Sequence, residues 1–248
     1  MENKSYKAIV GSRSAPYLTH LARVCGVATN YVAVAHPSLP NYLAATSGDT
    51  WRVTDDSPPS AHPIAHASIF SQLAAAGMTW RSYEESMPAT CDLSSSGEYA
   101  VKHNPSAYYT GIRADCRKWD IPFSALGVDL RLHRLPSFAF VTPNLCDDMH
   151  DCPVATGDTW LHRWVPVILA SPEYRSGSTV LVITFDEGTD SANHVATVIV
   201  SPATRPGTRS AEPFNHYSLL KTTEQLLGIR TSLAHAHSAT SMRAAFHL

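Results

Sequence analysis

The 248-residue sequence is poor in charge, with 16% Asp, Glu, Lys and Arg, and neither sign dominates: 19 basic side chains face 21 acidic ones. A formal charge of -2 creates no basic field to draw in a phosphate backbone, which argues against a nucleic-acid partner. Long hydrophobic runs are missing as well. Val180 to Phe185 and Val195 to Val200 are about a third of the ~20 residues that a membrane-crossing helix needs, so no transmembrane segment is expected. Met1-Glu2-Asn3-Lys4-Ser5 is polar, and no apolar core of a signal peptide follows it. Repeats, heptads and low-complexity tracts are absent too, which excludes a solenoid or a coiled coil.

What is there is histidine and cysteine, 13 and 5 of them. A chain of this length buries roughly 70–75% of the surface that its unfolded form exposes, so neither metal nor disulfides are needed to hold it together, and a bound metal would serve chemistry. Cys146 and Cys152 bracket a short polar loop, and Cys91 and Cys116 flank a loop-rich segment. Two disulfides, Cys91–Cys116 and Cys146–Cys152, with a lone Cys25, would place the chain in an oxidising compartment, outside the cell. Five reduced thiols in a cytosolic enzyme are the competing reading.

Runs rich in β-branched residues alternate with segments of helical period. Strands are predicted at 28–34, 78–83, 137–142, 179–185 and 194–201, and helices at 15–24, 39–46, 67–76, 123–133, 160–170 and 217–227. This alternation predicts a single α/β domain over residues 1–248, a three-layer α/β/α sandwich with a mostly parallel central sheet. The stretch from Glu84 to Asp120 is a loop-rich excursion over the sheet edge. In such sheets functional groups collect at the carboxyl ends of strands.

Three clusters there can carry chemistry. Asp186-Glu187-Gly188 follows the apolar run Thr179 to Phe185, where two carboxylates can hold a hard cation; a solvated acidic turn is the plain alternative. Ser38 lies between a strand and a helix, where orphan N–H groups and the helix dipole favour an alkoxide or a bound anion, although Ser38 could equally be a simple helix cap. Thr142 to Cys152 presents His150 with Asp147 and Asp148, which as plain loop charges need no function. His103 and His194 complete the set, each with a structural, hydrogen-bonded role as its alternative.

Taken in order, Glu2-Asn3-Lys4-Ser5-Tyr6, Pro37-Ser38-Leu39-Pro40-Asn41 with Ser47-Gly48, His103-Asn104-Pro105 with Tyr108-Tyr109, Pro143-Asn144 with Asp148 and His150, and Asp186-Glu187-Gly188 with Asn193-His194-Val195 make a pattern. It resembles the phosphoesterase family that includes bacterial phospholipase C and acid phosphatase enzymes, within the alkaline-phosphatase-like superfamily. The resemblance implies an alkaline-phosphatase-like fold and a metal-dependent phosphatase whose nucleophile is Ser38. It implies one divalent cation held by Glu2, Asn3, Ser38, Asp186 and Glu187. That oxygen-rich set suits Ca²⁺ or Mg²⁺, with Mn²⁺ also accommodated. His103 and His150 would contact phosphate or protonate the leaving group, and Asn41, Asn144, Asp148 and His194 would bind substrate. His194 follows Asn193 where the family pattern has Asp.

The expected substrate is a small phosphate monoester, hydrolysed through a phosphoserine intermediate. A phospholipase C-type phosphodiesterase is the rival. The resemblance also implies an apolar strand just ahead of the Glu-Asn pair, outside the residues present here. A non-catalytic, phosphate-binding member lacking that strand is a further reading. A carboxylester hydrolase is disfavoured because no Gly-x-Ser-x-Gly elbow occurs.

Overall fold

Seven short strands, in a computed structural model that describes residues 1–248, carry the architecture. They are β1 (Gly26–Ala28), β2 (Trp80–Glu84), β3 (Asp120–Pro122), β4 (Phe138–Thr142), β5 (Leu181–Thr184), β6 (Thr197–Val200) and β7 (Arg209–Ser210). β3, β2 and β4 form a parallel sheet in that order, with Ser82 opposite both Asp120 and Phe140. The other four form a mixed sheet in the order β5-β6-β1-β7. There β6 runs antiparallel to β5 and to β1, pairing Val182 with Ile199 and Val27 with Val198, while β7 runs parallel to β1.

Apolar residues on both faces of β6 reflect cover on both sides and not strand direction, since β6 is buried along its whole length yet antiparallel to its neighbours. Alternation along β2 shows the layering. Trp80 faces Phe70 and Leu73 of helix Ile69–Ala75, whereas Tyr83 packs with Phe123 and with Leu126 and Leu130 of helix Ser124–Arg131. Helices therefore cover opposite faces of this sheet, which is the three-layer α/β arrangement. Helix Pro16–Val24 packs on β1 and β6 and against helix Val154–Leu169. Asp158 of the latter accepts from Tyr17 N and Leu18 N at 2.9 and 2.8 Å, so a buried carboxylate satisfies the orphan donors of its neighbour's first turn.

Two large apolar clusters result. One gathers Ile9, Leu18, Val27, Phe185, Val198 and Phe246 around the mixed sheet; the other gathers Leu39, Leu43, Phe70, Trp80, Tyr108 and Tyr109. The edge strands β4 and β5 face each other across a cleft of about 710 Å³. At its mouth Met1 lies alongside the end of β5: its amino group donates to Thr184 O at 3.3 Å, and Asp186 N donates to Met1 O at 3.1 Å. Glu2 N donates across to Asp148 O at 2.8 Å. These bonds hold Glu2 between the carboxyl ends of two strands.

The segment 84–120 is mostly irregular, with 3₁₀ turns at Val101–His103, Pro105–Tyr108 and Thr110–Ile112 and a short helix at Cys116–Trp119. Disulfides join Cys91 to Cys116 and Cys146 to Cys152, and Cys25 is free.

Candidate active site

Helix Ser38–Ser47 begins on the residue of interest, and Ser38 is its first helical residue, not its cap. Asp56, from a distant loop, accepts from Leu39 N at 2.9 Å and so caps this helix. Leu39 and Leu43 anchor it in the second apolar cluster, and Gly48 ends it in the left-handed region. A Cβ on Gly48 would fall 2.5 Å from Leu233 O, so no other residue fits that stop. Asn41, fully buried, ties down the approach to Ser38: its Oδ1 accepts from Val34 N and Ala35 N at 2.9 and 3.0 Å, and its Nδ2 donates to Ala35 O and Pro37 O at 2.9 and 3.1 Å.

The Ser38 hydroxyl donates to Glu2 Oε2 at 3.2 Å and to Glu187 Oε1 at 3.3 Å. Glu187 also contacts His36 Nδ1, and Glu2 accepts from the Tyr42 hydroxyl, one helical turn beyond Ser38. Asp186 is buried. One of its oxygens accepts from Asn3 N at 3.0 Å; the other, Oδ2, has no partner. His216, buried below, donates from Nε2 to Asp186 O at 2.6 Å, and burial depresses its pKa to about 4, keeping the ring neutral.

On the other side of Glu2 stands His103, whose Nε2 lies 3.1 Å from Glu2 Oε2 and whose Nδ1 lies 3.2 Å from Asp148 Oδ2. Burial works against a charge on this ring, but the two carboxylates prevail and raise its pKa to about 10. The same imidazolium holds Glu2 below the usual carboxylate range although burial alone would raise it. Burial, and then the charge of Glu2, push Asp186 well above its ordinary value; burial raises Glu187, against the pull of His36.

Two carboxylates thus meet one hydroxyl, and a third, Asp186, lies beside Glu2 with one buried oxygen unpaired. Uncompensated buried charge of this kind is expensive, and an added cation relieves it. The oxygen donors of Glu2, Ser38, Asp186 and Glu187 fit a hard divalent cation. Glu2, His103 and Asp148 also present ligand atoms within 4.8 Å of one another. Both ring nitrogens of His103 face carboxylates, Nε2 toward Glu2 and Nδ1 toward Asp148, so His103 suits the role of counter-charge better.

The remaining sequence candidates are distributed around this centre. Asp148, buried, accepts from His150 N at 2.7 Å and orients His103. His150 packs with its ring centroid 5.6 Å from that of His103, with Nδ1 2.6 Å from Asp151 Oδ1 and Nε2 3.3 Å from Lys102 Nζ. Asn3 meets Asp186 through its main-chain N–H. Asn144 shapes the disulfide loop, accepting from Cys146 N and Asp147 N and donating to Ser86 and Glu98. His194 stacks on Tyr6, ring centroids 4.5 Å apart, and its buried Nε2 has no partner.

His36, Tyr42, Asp56 and Lys102 also reach the site, though nothing singled them out from sequence alone. Tyr42 could have been found, since residues four apart share a helix face. Asp56 left no local signal.

A family model described as the Phosphoesterase family matches residues 8–230. The chain belongs to the Phosphoesterase family. Members of this family hydrolyse phosphoric esters, and the chain is such a hydrolase. It is 35% identical over 230 residues to a phosphatidylinositol-3-phosphatase of Mycobacterium tuberculosis, covering 92% of this chain and 75% of that protein. It is 31% identical over 220 residues to a phosphate-repressible acid phosphatase of Penicillium chrysogenum, covering 82% of this chain and 52% of that one. The chain thus spans about half the length of its fungal relatives. A solved alkaline phosphatase superfamily protein from Vibrio parahaemolyticus superimposes with a TM-score of 0.67 over 96% of this phosphoesterase and 68% of the other chain, at 12% identity. That likeness shows the fold.

Proposed function

We propose that this phosphoesterase is a metal-dependent phosphatase that hydrolyses phosphate monoesters through a covalent phosphoserine on Ser38. The observation that carries the reading is the contact of the Ser38 hydroxyl with Glu2 and Glu187 at a helix N-terminus, with the buried, unpaired oxygen of Asp186 next along the chain from Glu187. A divalent cation held by Glu2, Ser38, Asp186 and Glu187, with Asn3 beside them, would make the hydroxyl more acidic and offset charge on the phosphoryl oxygens. Ca²⁺, Mg²⁺ and Mn²⁺ all suit these donors.

The chain's own groups do the rest. Ser38 passes its proton to Glu2 or Glu187, the carboxylates its hydroxyl already meets, and attacks phosphorus; the bond to the alcohol oxygen breaks, and the alcohol leaves with a proton from His103, which Glu2 and Asp148 hold as a cation and beside which His150 stands. Water then attacks phosphorus and gives a proton back to that ring, the bond to Ser38 breaks, and the serine oxygen recovers its proton from the carboxylate as inorganic phosphate leaves. Phosphoryl transfer asks mainly for positioning and charge neutralisation, which this rigid, buried set supplies.

Both named relatives are phosphatases by name, which supports a monoester over a diester substrate. Their names leave open a soluble ester or a phosphorylated lipid headgroup as the substrate. The two disulfides support function in an oxidising compartment, outside the cell.

The test is turnover of an aryl phosphate. Ser38→Ala should lower it on the order of 10³-fold or more with an unchanged circular dichroism spectrum. Chelation should lower it as well, with Asp186→Asn mimicking the chelator. Undiminished turnover in Ser38→Ala removes the serine from the mechanism, and indifference to both chelation and Asp186→Asn removes the metal.

A further inference from the structure

Following hydrogen bonds and ion pairs outward from Ser38 gives a closed ring. Ser38 Oγ donates to Glu2, Glu2 pairs with His103, His103 pairs with Asp148, and Asp148 accepts from His150 N. His150 Nε2 lies 3.3 Å from Lys102 Nζ, Lys102 Nζ donates to Asp56 Oδ2 at 2.9 Å, and Asp56 Oδ1 accepts at 2.9 Å from Leu39 N, the residue after Ser38. Lys102 and Asp56 close this circuit, and neither is used in the mechanism above.

We propose that Lys102 binds the phosphoryl group of the substrate and that Asp56 is the residue that positions it. The proposal rests on the phosphatase reading of the site and adds an ammonium group that meets the substrate's anionic oxygens.

Lysine seldom surrenders its hydration without a reason. The Lys102 side chain is only 21% exposed, and Asp56 is its single carboxylate partner. An ammonium group has three donors. Asp56 takes one and His150 Nε2 can take a second, which leaves one for a ligand. Lys102 joins the basic groups gathered beside Glu2: its Nζ lies 3.3 Å from His150 Nε2, the His150 ring packs 5.6 Å from that of His103, and His103 pairs with Glu2, which meets the Ser38 hydroxyl. A phosphoryl group on Ser38 would carry its anionic oxygens toward this cluster. A compact ammonium suits a single phosphoryl oxygen, where a guanidinium would span two.

Asp56 does two things at once. By capping the helix through Leu39 N it fixes the start of the segment that carries Ser38, and by holding Lys102 it fixes the charge against the same segment. Nucleophile and phosphate ligand thereby share one reference point. An ion pair that served the fold alone would leave ligand binding unchanged when broken.

The test measures binding of inorganic phosphate by calorimetric titration, together with kcat and KM for an aryl phosphate, in the Mg²⁺-supplemented protein. Lys102→Met should weaken phosphate binding about 10- to 100-fold, the range expected for a charge-assisted hydrogen bond, and raise KM with little change in thermal midpoint. Lys102→Arg should recover part of that loss. Asp56→Asn keeps an acceptor for Leu39 N but drops the charge that holds Lys102, so it should weaken phosphate binding less than Lys102→Met does. The double variant should be no worse than Lys102→Met alone. Unchanged phosphate affinity in Lys102→Met overturns the assignment, and additive losses overturn the coupling through Asp56. Ser38→Ala, measured in parallel, separates the two readings: turnover that persists there defeats the serine mechanism, while phosphate titration judges Lys102 on its own.

Discussion

Asn41 offers the sharpest test of how the site is built. Sequence reasoning placed it at the substrate, whereas its four hydrogen bonds all go to the backbone of Val34, Ala35 and Pro37, which leads into Ser38. Asn41→Ala removes all four and leaves two N–H groups and two carbonyl bonds unmade in a buried place. At about 1 kcal/mol for each net bond, the loss is roughly 4 kcal/mol. For a protein of this size, with about 2–4 °C per kcal/mol, the thermal midpoint should fall by about 8–16 °C. Asn41→Asp keeps both acceptor bonds but sets a carboxylate against two carbonyls, so it too should destabilise. Loosening the segment ahead of Ser38 should lower kcat by about 10- to 100-fold, because a shift of about 1 Å in a reacting group costs that much, while KM stays near its original value. Differential scanning calorimetry and steady-state kinetics on the same preparations give both readouts. An unchanged midpoint with a raised KM would refute the positioning role and return Asn41 to the substrate.

Two further outcomes follow from the same contacts. Asp148→Asn removes one of the two carboxylates that raise His103 to about 10, so the ring's pKa, followed by NMR, should fall, and kcat should drop by about 10²-fold as His103 loses its orientation; a pKa that stays in place would show that Glu2 alone sets it. Beneath the site, Glu84 and Asp120 are buried together: burial, and then the neighbouring charge of Asp120, raise Glu84 well above its ordinary value, and burial pushes Asp120 up to about 7. The folded chain therefore holds protons that the unfolded chain releases near pH 4, so these groups take stability away as the pH rises from about 4 through about 7. Glu84→Gln, which keeps an acceptor for Ser82, should raise the thermal midpoint by a few degrees at pH 8 and by less at pH 5, on the order of 1 kcal/mol; equal effects at both pH values would show that the pair does not titrate there.

The fold was legible wherever local chemistry decides. Helix Ser38–Ser47 and helix His216–Leu226 were marked by apolar period, and β4 and β5 by β-branched runs. β3 and β7, three and two residues long, carry too little pattern to be seen. The antiparallel course of β6 was hidden because burial on both faces reads alike in either direction. At the site, Ser38, Asp186 and Glu187 stood out because a strand end and a helix start are chemically distinctive. His36 and Asp56 did not, because what matters about them is a contact across the fold: His36 with Glu187, 151 residues away, and Asp56 with Leu39 and Lys102. No local pattern encodes such meetings.

The most direct test of the central claim is to trap the enzyme in mid-reaction. The protein would be mixed with a phosphate monoester, quenched in acid within the turnover time and digested, and the peptides sequenced by mass spectrometry. A phosphoryl group on Ser38, absent in Ser38→Ala and lost again when the reaction runs to completion, is the result this account requires. Phosphate released at the full rate with Ser38 never modified, or a phosphoryl group on any other side chain, would contradict it.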